Sequence, residues 1–207
     1  MIYQENTRTF PPPKITYKHD LNWTLVWKRL KSDVHDSTAK DILFRIIHNI
    51  LPNRQRLFRM NKCADPFCEN EAVWREVEGP LNESVSNRSN MKIVVGGEIE
   101  DNLHLFSSCG KTRESWLWLR RIVLEFLPPN SESLSNWEII HLAFPQYLYE
   151  NSILWLISSY CEIVWTDSVK RRQNLDSRKV ISALKNRYML HQMSNRKQLT
   201  PIDFSFA

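Results

Sequence analysis

Apolar side chains return at helical intervals through most of the chain, and most runs end on a recognisable stop. Trp23, Val26, Trp27 and Leu30 make a short amphipathic helix, closed by the polar stretch 31–36. Ile42, Leu43, Ile46, Ile47 and Ile50 predict a second, with Ser37 or Thr38 as cap and Asp41 completing a Thr-x-x-Asp box. Pro52 stops it, and Asn53 is placed to cap a third helix over 54–60. After Gly110 the stripe Trp116, Leu119, Val123 and Phe126 runs into Pro128-Pro129. Ser135-x-x-Glu138 is a capping box for a helix over 137–144. Ile153, Leu156, Ile157, Tyr160, Val164 and Trp165 line a longer helix beginning near Asn151, and Val180, Ile181, Leu184, Tyr188 and Met189 a last one from about Asp176.

Two segments break the pattern. Pro11-Pro12-Pro13 forbids helix in the N-terminal arm, which is expected to be extended or disordered over 1–20. Between residues 69 and 101 eight acids face three bases, 82–90 is rich in Ser and Asn, and three of the four glycines (Gly79, Gly96, Gly97) fall there. That segment reads as a solvated acidic insertion at about 70–97, with a short hairpin pairing 74–77 with 92–95. The expectation is an all-α fold: a helical domain over 21–127 interrupted by the insertion, a helical extension over 128–192, and a tail over 193–207.

Composition narrows the function classes. Hydrophobic residues at 42% and aromatics at 11% exclude a disordered chain. Average usage would give about 14 glycines, and the chain has 4. So few hinges argue against a nucleotide-cradling α/β enzyme, and no G-x-G-x-x-G, P-loop or G-x-S-x-G is present. An acid–base pairing of His48 with Asp41 or Glu100 can be assembled, but no spacing demands it; an enzyme and a small-molecule substrate are not expected. The first residues form neither a signal nor a transit peptide, and the longest apolar stretch, 153–165, is interrupted by Ser158, Ser159 and Glu162 and too short to span a bilayer. Four cysteines without an export signal point to a reducing intracellular compartment, nucleus or cytoplasm, with no membrane partner. Cys161 falls on an apolar stripe and reads as core; His19, His35 and His191 read as solvated.

Three cysteines and one histidine form a suggestive arrangement. Cys63 and Cys68 make a C-x4-C loop, and His104 and Cys109 an H-x4-C loop. Zinc favours four tetrahedral nitrogen and sulfur ligands, and two loops presenting a pair each suit it. Arg59 and Lys62 would offset the negative charge of three thiolates around the ion. Thirty-five residues separate Cys68 from His104, so a zinc site requires the acidic insertion to return to its starting point. Ordinary thiols and a hydrogen-bonded core histidine are the alternative.

The ordered series Trp27, His48-x-x-Leu51-Pro52, Cys63, Cys68, Glu98-x-Glu100, His104-x-Phe106-x-x-Cys109 and Trp116 resembles the zinc-binding domain downstream of the reverse transcriptase in non-LTR (LINE-type) retrotransposons. The resemblance covers residues 27–116, and the helix over 154–165 is similar to the extension such elements often carry. It implies a CCHC zinc knuckle on Cys63, Cys68, His104 and Cys109. The x4 spacing of the first pair and the long middle depart from the family pattern. No Asp-Asp pair of polymerase type and no nuclease pattern occurs, so the resemblance is to an accessory domain.

Charge placement bears on partners. Between 169 and 198 nine bases, among them Lys170, Arg171, Arg172, Arg178 and Lys179, face Asp176 alone. Arg54, Arg56, Arg59 and Lys62 precede the first cysteine. Basic helical faces beside a zinc knuckle suit phosphates, so RNA or DNA is the expected partner; faces that are merely solvated remain open, as does a structural or protein-interaction module with a degenerate or purely stabilising metal site. Trp23, Trp27, Trp116, Trp137, Trp155 and Trp165 lie on helical stripes and read as core, whereas Trp74 and Trp118 are candidates for exposed contact.

Overall fold

The structure is a computed structural model that describes residues 22–78, 90–127, 134–144, 150–167, 176–194, 199, 201, 202 and 204. In chain order it runs α1 (Trp23–Leu30), α2 (Ser37–Ile47), α3 (Arg54–Arg59), β1 (Val73–Glu78), β2 (Asn90–Gly96), a π-helical turn (His104–Ser108), α4 (Arg113–Glu125), α5 (Asn136–Ile140), α6 (Glu150–Trp165) and α7 (Ser177–Met193). The fold is helical, with one antiparallel hairpin in the acidic insertion. The expectations for 1–20, including His19, and for the middle of the insertion at 79–89 lie outside the described residues.

α6 is the centre of the core because its sequence leaves it no polar face until Glu162. Residues 152–161 are all buried, and Ser158 satisfies its hydroxyl on the Trp155 carbonyl at 3.0 Å. α2 and α7 pack against it, and α4 joins both α6 and α7. The buried side chains of all four helices and α1 form one hydrophobic cluster reaching from Val26 to Ile202. Each fully buried Leu or Ile in it is worth about 1.5–3 kcal/mol, so the C-terminal helices stabilise the same core as the N-terminal ones. Cys161 is buried there, as its stripe predicts.

The helix starts follow side-chain chemistry. Asn53 Oδ1 accepts from Arg56 N at 2.9 Å and opens α3, and Ser135 with Glu138 forms the full capping box of α5. At α2 the cap is Asp36 rather than Ser37 or Thr38: its Oδ1 accepts from Ala39 N at 2.7 Å, a carboxylate being the stronger acceptor at the positive end of a helix. α5 ends at Ile140, short of the predicted 144. Leu142 takes a left-handed φ of 58°, and the Leu142 and Phe144 carbonyls turn inward to accept from the buried Arg29 guanidinium, which also lies 4.1 Å from the Phe144 ring. His35, expected in solvent, is buried beside that arginine, its Nε2 3.0 Å from the Arg29 carbonyl. His191 is half-buried against Trp155, with ring centroids 5.4 Å apart. Trp118 is also half-buried, stacked on Phe204 at 5.7 Å. Trp116 and Trp155 are buried as predicted; Trp23, Trp27 and Trp165 are only partly so.

Candidate metal centre

Cys68, His104 and Cys109 converge on one point, each buried, with a ligand atom of each within 4.8 Å of the others. Two local devices bring them together. The first closes the acidic insertion on itself. Cys68 N donates to the Glu98 carbonyl at 2.8 Å and Glu100 N to the Pro66 carbonyl at 2.9 Å, so the chain leaving Cys68 returns beside it. β1 and β2 continue that pairing outward, with Trp74 opposite Val94 and Val77 opposite Met91: the two expected segments do form a hairpin, in a register one residue from 74–77 set against 92–95. Gly97 makes the return possible: its φ is +146°, and a Cβ there would sit 2.8 Å from the Glu71 carbonyl oxygen.

The second device is the π-helical turn. In an α-helix, residues five apart point about 140° away from each other, so an H-x4-C pair would diverge. Here Cys109 N donates to the His104 carbonyl at 2.8 Å, the i→i+5 bond of a π-turn, and both side chains face the same ion-sized space. Tyr160 on α6 holds the turn down by donating to the Phe106 carbonyl at 2.6 Å, and Thr112 donates to the Leu105 carbonyl at 3.1 Å.

The thiols of Cys68 and Cys109 lie 3.7 Å apart, far beyond a disulfide bond of about 2.05 Å. Asn70 Nδ2 approaches both, at 3.6 and 3.7 Å. The Cys109 thiol is held well below the usual thiol range, first by its hydrogen bond with Cys68 and then by His104. Cys68 is driven the opposite way by the same bond and by burial. The His104 imidazole is raised, chiefly by its interaction with Cys109. Its Nε2 is buried with no hydrogen-bond partner and lies 3.4 Å from Glu71 Oε2. Glu71 is in turn held by Gly110 N, which donates to Oε1 at 2.6 Å. Two soft sulfurs and an imidazole are a metal-binding donor set.

Cys63 is not brought into this group. Its thiol faces the Asp65 carbonyl at 3.2 Å and the Arg54 carbonyl at 3.5 Å. Four intervening residues leave room for a turn in which Asp65 Oδ1 accepts from Phe67 N at 3.0 Å, and that turn directs the thiol to the backbone. Arg54 holds the loop in place through two 3.0 Å bonds to Asp65 and a further pairing with Glu69. Burial opposes its charge, the carboxylates outweigh it, and the guanidinium pKa is raised.

A buried amide ladder supports the centre from the α2–α3 side. Asn53 Nδ2 donates to Asn102 Oδ1 at 2.6 Å, and Asn102 Nδ2 to Asn49 Oδ1 at 3.2 Å. Glu100 accepts from Arg54 N at 3.1 Å through its carboxylate and from Gln55 N at 3.1 Å through its carbonyl, at the start of α3; burial raises its pKa. Asn49, Asn102, Asn70 and Glu71 carry no spacing signal. Asn49 alone announces itself, as an amide residue after a helix in the left-handed region, φ 52°.

The predicted basic residues fall into three groups. Arg54 is committed to Asp65 and Glu69, and Arg56 is half-buried, donating to the Asn49 carbonyl at 3.1 Å. Arg59, Lys62, Arg178 and Lys179 are exposed. Lys170, Arg171 and Arg172 lie outside the described residues, as does the side chain of Trp74. Of the acid–base candidates, Asp41 pairs with Arg45 at 2.9 Å, and His48 sits against the rings of Phe44 and Trp27. No helix among the described residues is long and apolar enough to cross a membrane. Comparison with protein-family models, curated proteins and solved structures finds no match to this chain.

Proposed function

We propose that the chain is a non-catalytic, zinc-stapled helical domain of the kind that accompanies non-LTR reverse transcriptases, and that it binds or positions RNA or DNA. The observation that carries this reading is the Cys68, His104 and Cys109 convergence. Two sulfurs about 2.3 Å from a tetrahedral zinc lie about 3.8 Å apart, and Cys68 and Cys109 stand at 3.7 Å before any ion is placed. Cys68, Cys109 and His104 would hold the ion, whose role when bound is to supply folding free energy rather than chemistry. The resemblance adds Cys63 as a fourth ligand; the three convergent donors carry the reading without it. Arg59, Lys62, Arg178 and Lys179, all exposed, support phosphate contacts.

Metal analysis of the purified protein is expected to give about one zinc per chain. Cys68→Ser and Cys109→Ser lose it, and Cys63→Ser keeps it. A folded, zinc-free wild type overturns the metal site. Nucleic-acid affinity is expected to fall steeply between about 50 and 200 mM salt. A second reading, a protein-interaction module, is favoured by the exposure of Leu190 (66%) and Met193 (80%) on α7; undetectable nucleic-acid binding at low salt selects it.

A further inference from the structure

The sequence places Trp27 on a core stripe, yet its ring is only half-buried and stands between Trp23, 6.2 Å away, and a run of aromatic side chains that ends at the surface. Trp27 and His48 have ring centroids 5.3 Å apart, and His48 and Phe44 4.2 Å. Phe44 is 43% exposed, and His48 is also exposed. A phenylalanine left in water on a helix whose other apolar residues are buried gives nothing to the core. Ile50, Phe58 and Met60, within sixteen residues of Phe44, are exposed as well.

A basic segment follows the rings along the chain. Asn49, turned by its φ of 52°, offers its carbonyl to Arg56 Nη1 at 3.1 Å, which sets a guanidinium one residue from His48. Arg59 follows three positions later, on the same side of α3, and Arg59 and Lys62 are both exposed. The acid of this part of α2, Asp41, is neutralised by Arg45 at 2.9 Å. Tilted rings beside a row of bases are the two components of single-strand recognition: bases stack on the rings, and the backbone tracks the charge. A duplex keeps its base faces to itself and can use only the charge.

We propose that the Trp27, His48 and Phe44 rings, with Arg56, Arg59 and Lys62 beside them, form the binding ledge for single-stranded RNA or DNA. This rests on the nucleic-acid reading above and assigns it a surface and a strandedness. Phe44 and His48 take the bases, and the α3 row takes the phosphates. The ledge uses no metal donor.

The test is fluorescence anisotropy of the full chain with labelled oligouridylate, oligothymidylate and a mixed-sequence duplex, at several salt concentrations. Phe44→Ala weakens single-strand binding about tenfold, with an unchanged salt slope and unchanged duplex binding; Phe44→Trp restores it. His48→Ala acts in the same direction. Arg59→Gln lowers the salt slope by about one. Both ring positions are solvent-exposed, and thermal melts confirm that the variants fold. Wild-type binding that neither Phe44→Ala nor His48→Ala weakens overturns the ledge and leaves the nucleic-acid reading standing. A duplex preference in the wild type does the same. A wild type that binds neither single strand nor duplex overturns both.

Discussion

Cys63 and Cys68 are the same residue type five positions apart, and they meet opposite surroundings. Cys68 is buried against a second thiol, whereas Cys63 faces two backbone carbonyls. Spacing shows that a thiol can reach a site; the turn at Asp65 decides where it points. Histidines show the same limit. His35 and His141 are both buried, and neither carries a sequence signal, because burial of an imidazole depends on what packs over it. For His141 the consequence is measurable. Burial pushes it down to about 4, against a hydrogen bond to the Trp137 carbonyl that opposes the shift. The folded chain refuses a proton that the unfolded chain accepts below about 6.5. Its contribution is therefore intact above that value and is lost as pH falls from 6.5 toward 4, of order 3 kcal/mol in all. His141→Phe, which keeps the stack on Trp137, is expected to flatten this part of the stability–pH curve relative to wild type in denaturant titrations; superimposable curves would show the group is not buried neutral.

At the scale of elements, periodicity located the longer helices because each buries a stripe in the common core, whereas α3, which buries no side chain, was located by its Asn53 cap. Ends depended on competing caps: Asp36 displaced Ser37 and Thr38, and Arg29 drew the end of α5 inward. The π-turn had no signal at all, since a five-residue hydrogen bond is chosen by what holds it, here Tyr160 and Thr112. The returning insertion hinges on Gly97. Gly97→Ala is expected to cost about 1–3 kcal/mol, through its left-handed φ and the collision with the Glu71 carbonyl, and to loosen metal binding with it. A melting temperature and zinc affinity both equal to wild type would show that the return is not constrained there. Asn102 offers a second handle on the same element. Asn102→Leu strands the amides of Asn53 and Asn49, and is expected to cost about 1–3 kcal/mol in urea unfolding.

For the molecule as a whole, one core joins the Cys68, His104 and Cys109 cluster to the C-terminal helices. Tyr160 links α6 to the π-turn, and Ser177 donates to the Lys111 carbonyl at 2.9 Å while accepting from Ser115 N at 3.2 Å, tying α7 to the start of α4. Chelation of the proposed metal is therefore expected to lower the melting temperature of the whole helical signal in circular dichroism, as one transition, because the turn it releases is bonded to the central helix. A melt insensitive to chelator would show the ion is not structural. The net charge of +5 conceals a polarity of acidic insertion and basic C-terminal segment that is legible from residue order alone. Residue order also determined the helical class, the stripes that make the core, and the two x4 pairs, because these follow from local periodicity and donor chemistry. Tertiary structure alone decided that thirty-five residues return to one point, that three of the four donors meet, and that Trp27 opens toward solvent. Each depends on contacts between segments far apart in the chain, and no local spacing encodes which face a neighbour will cover.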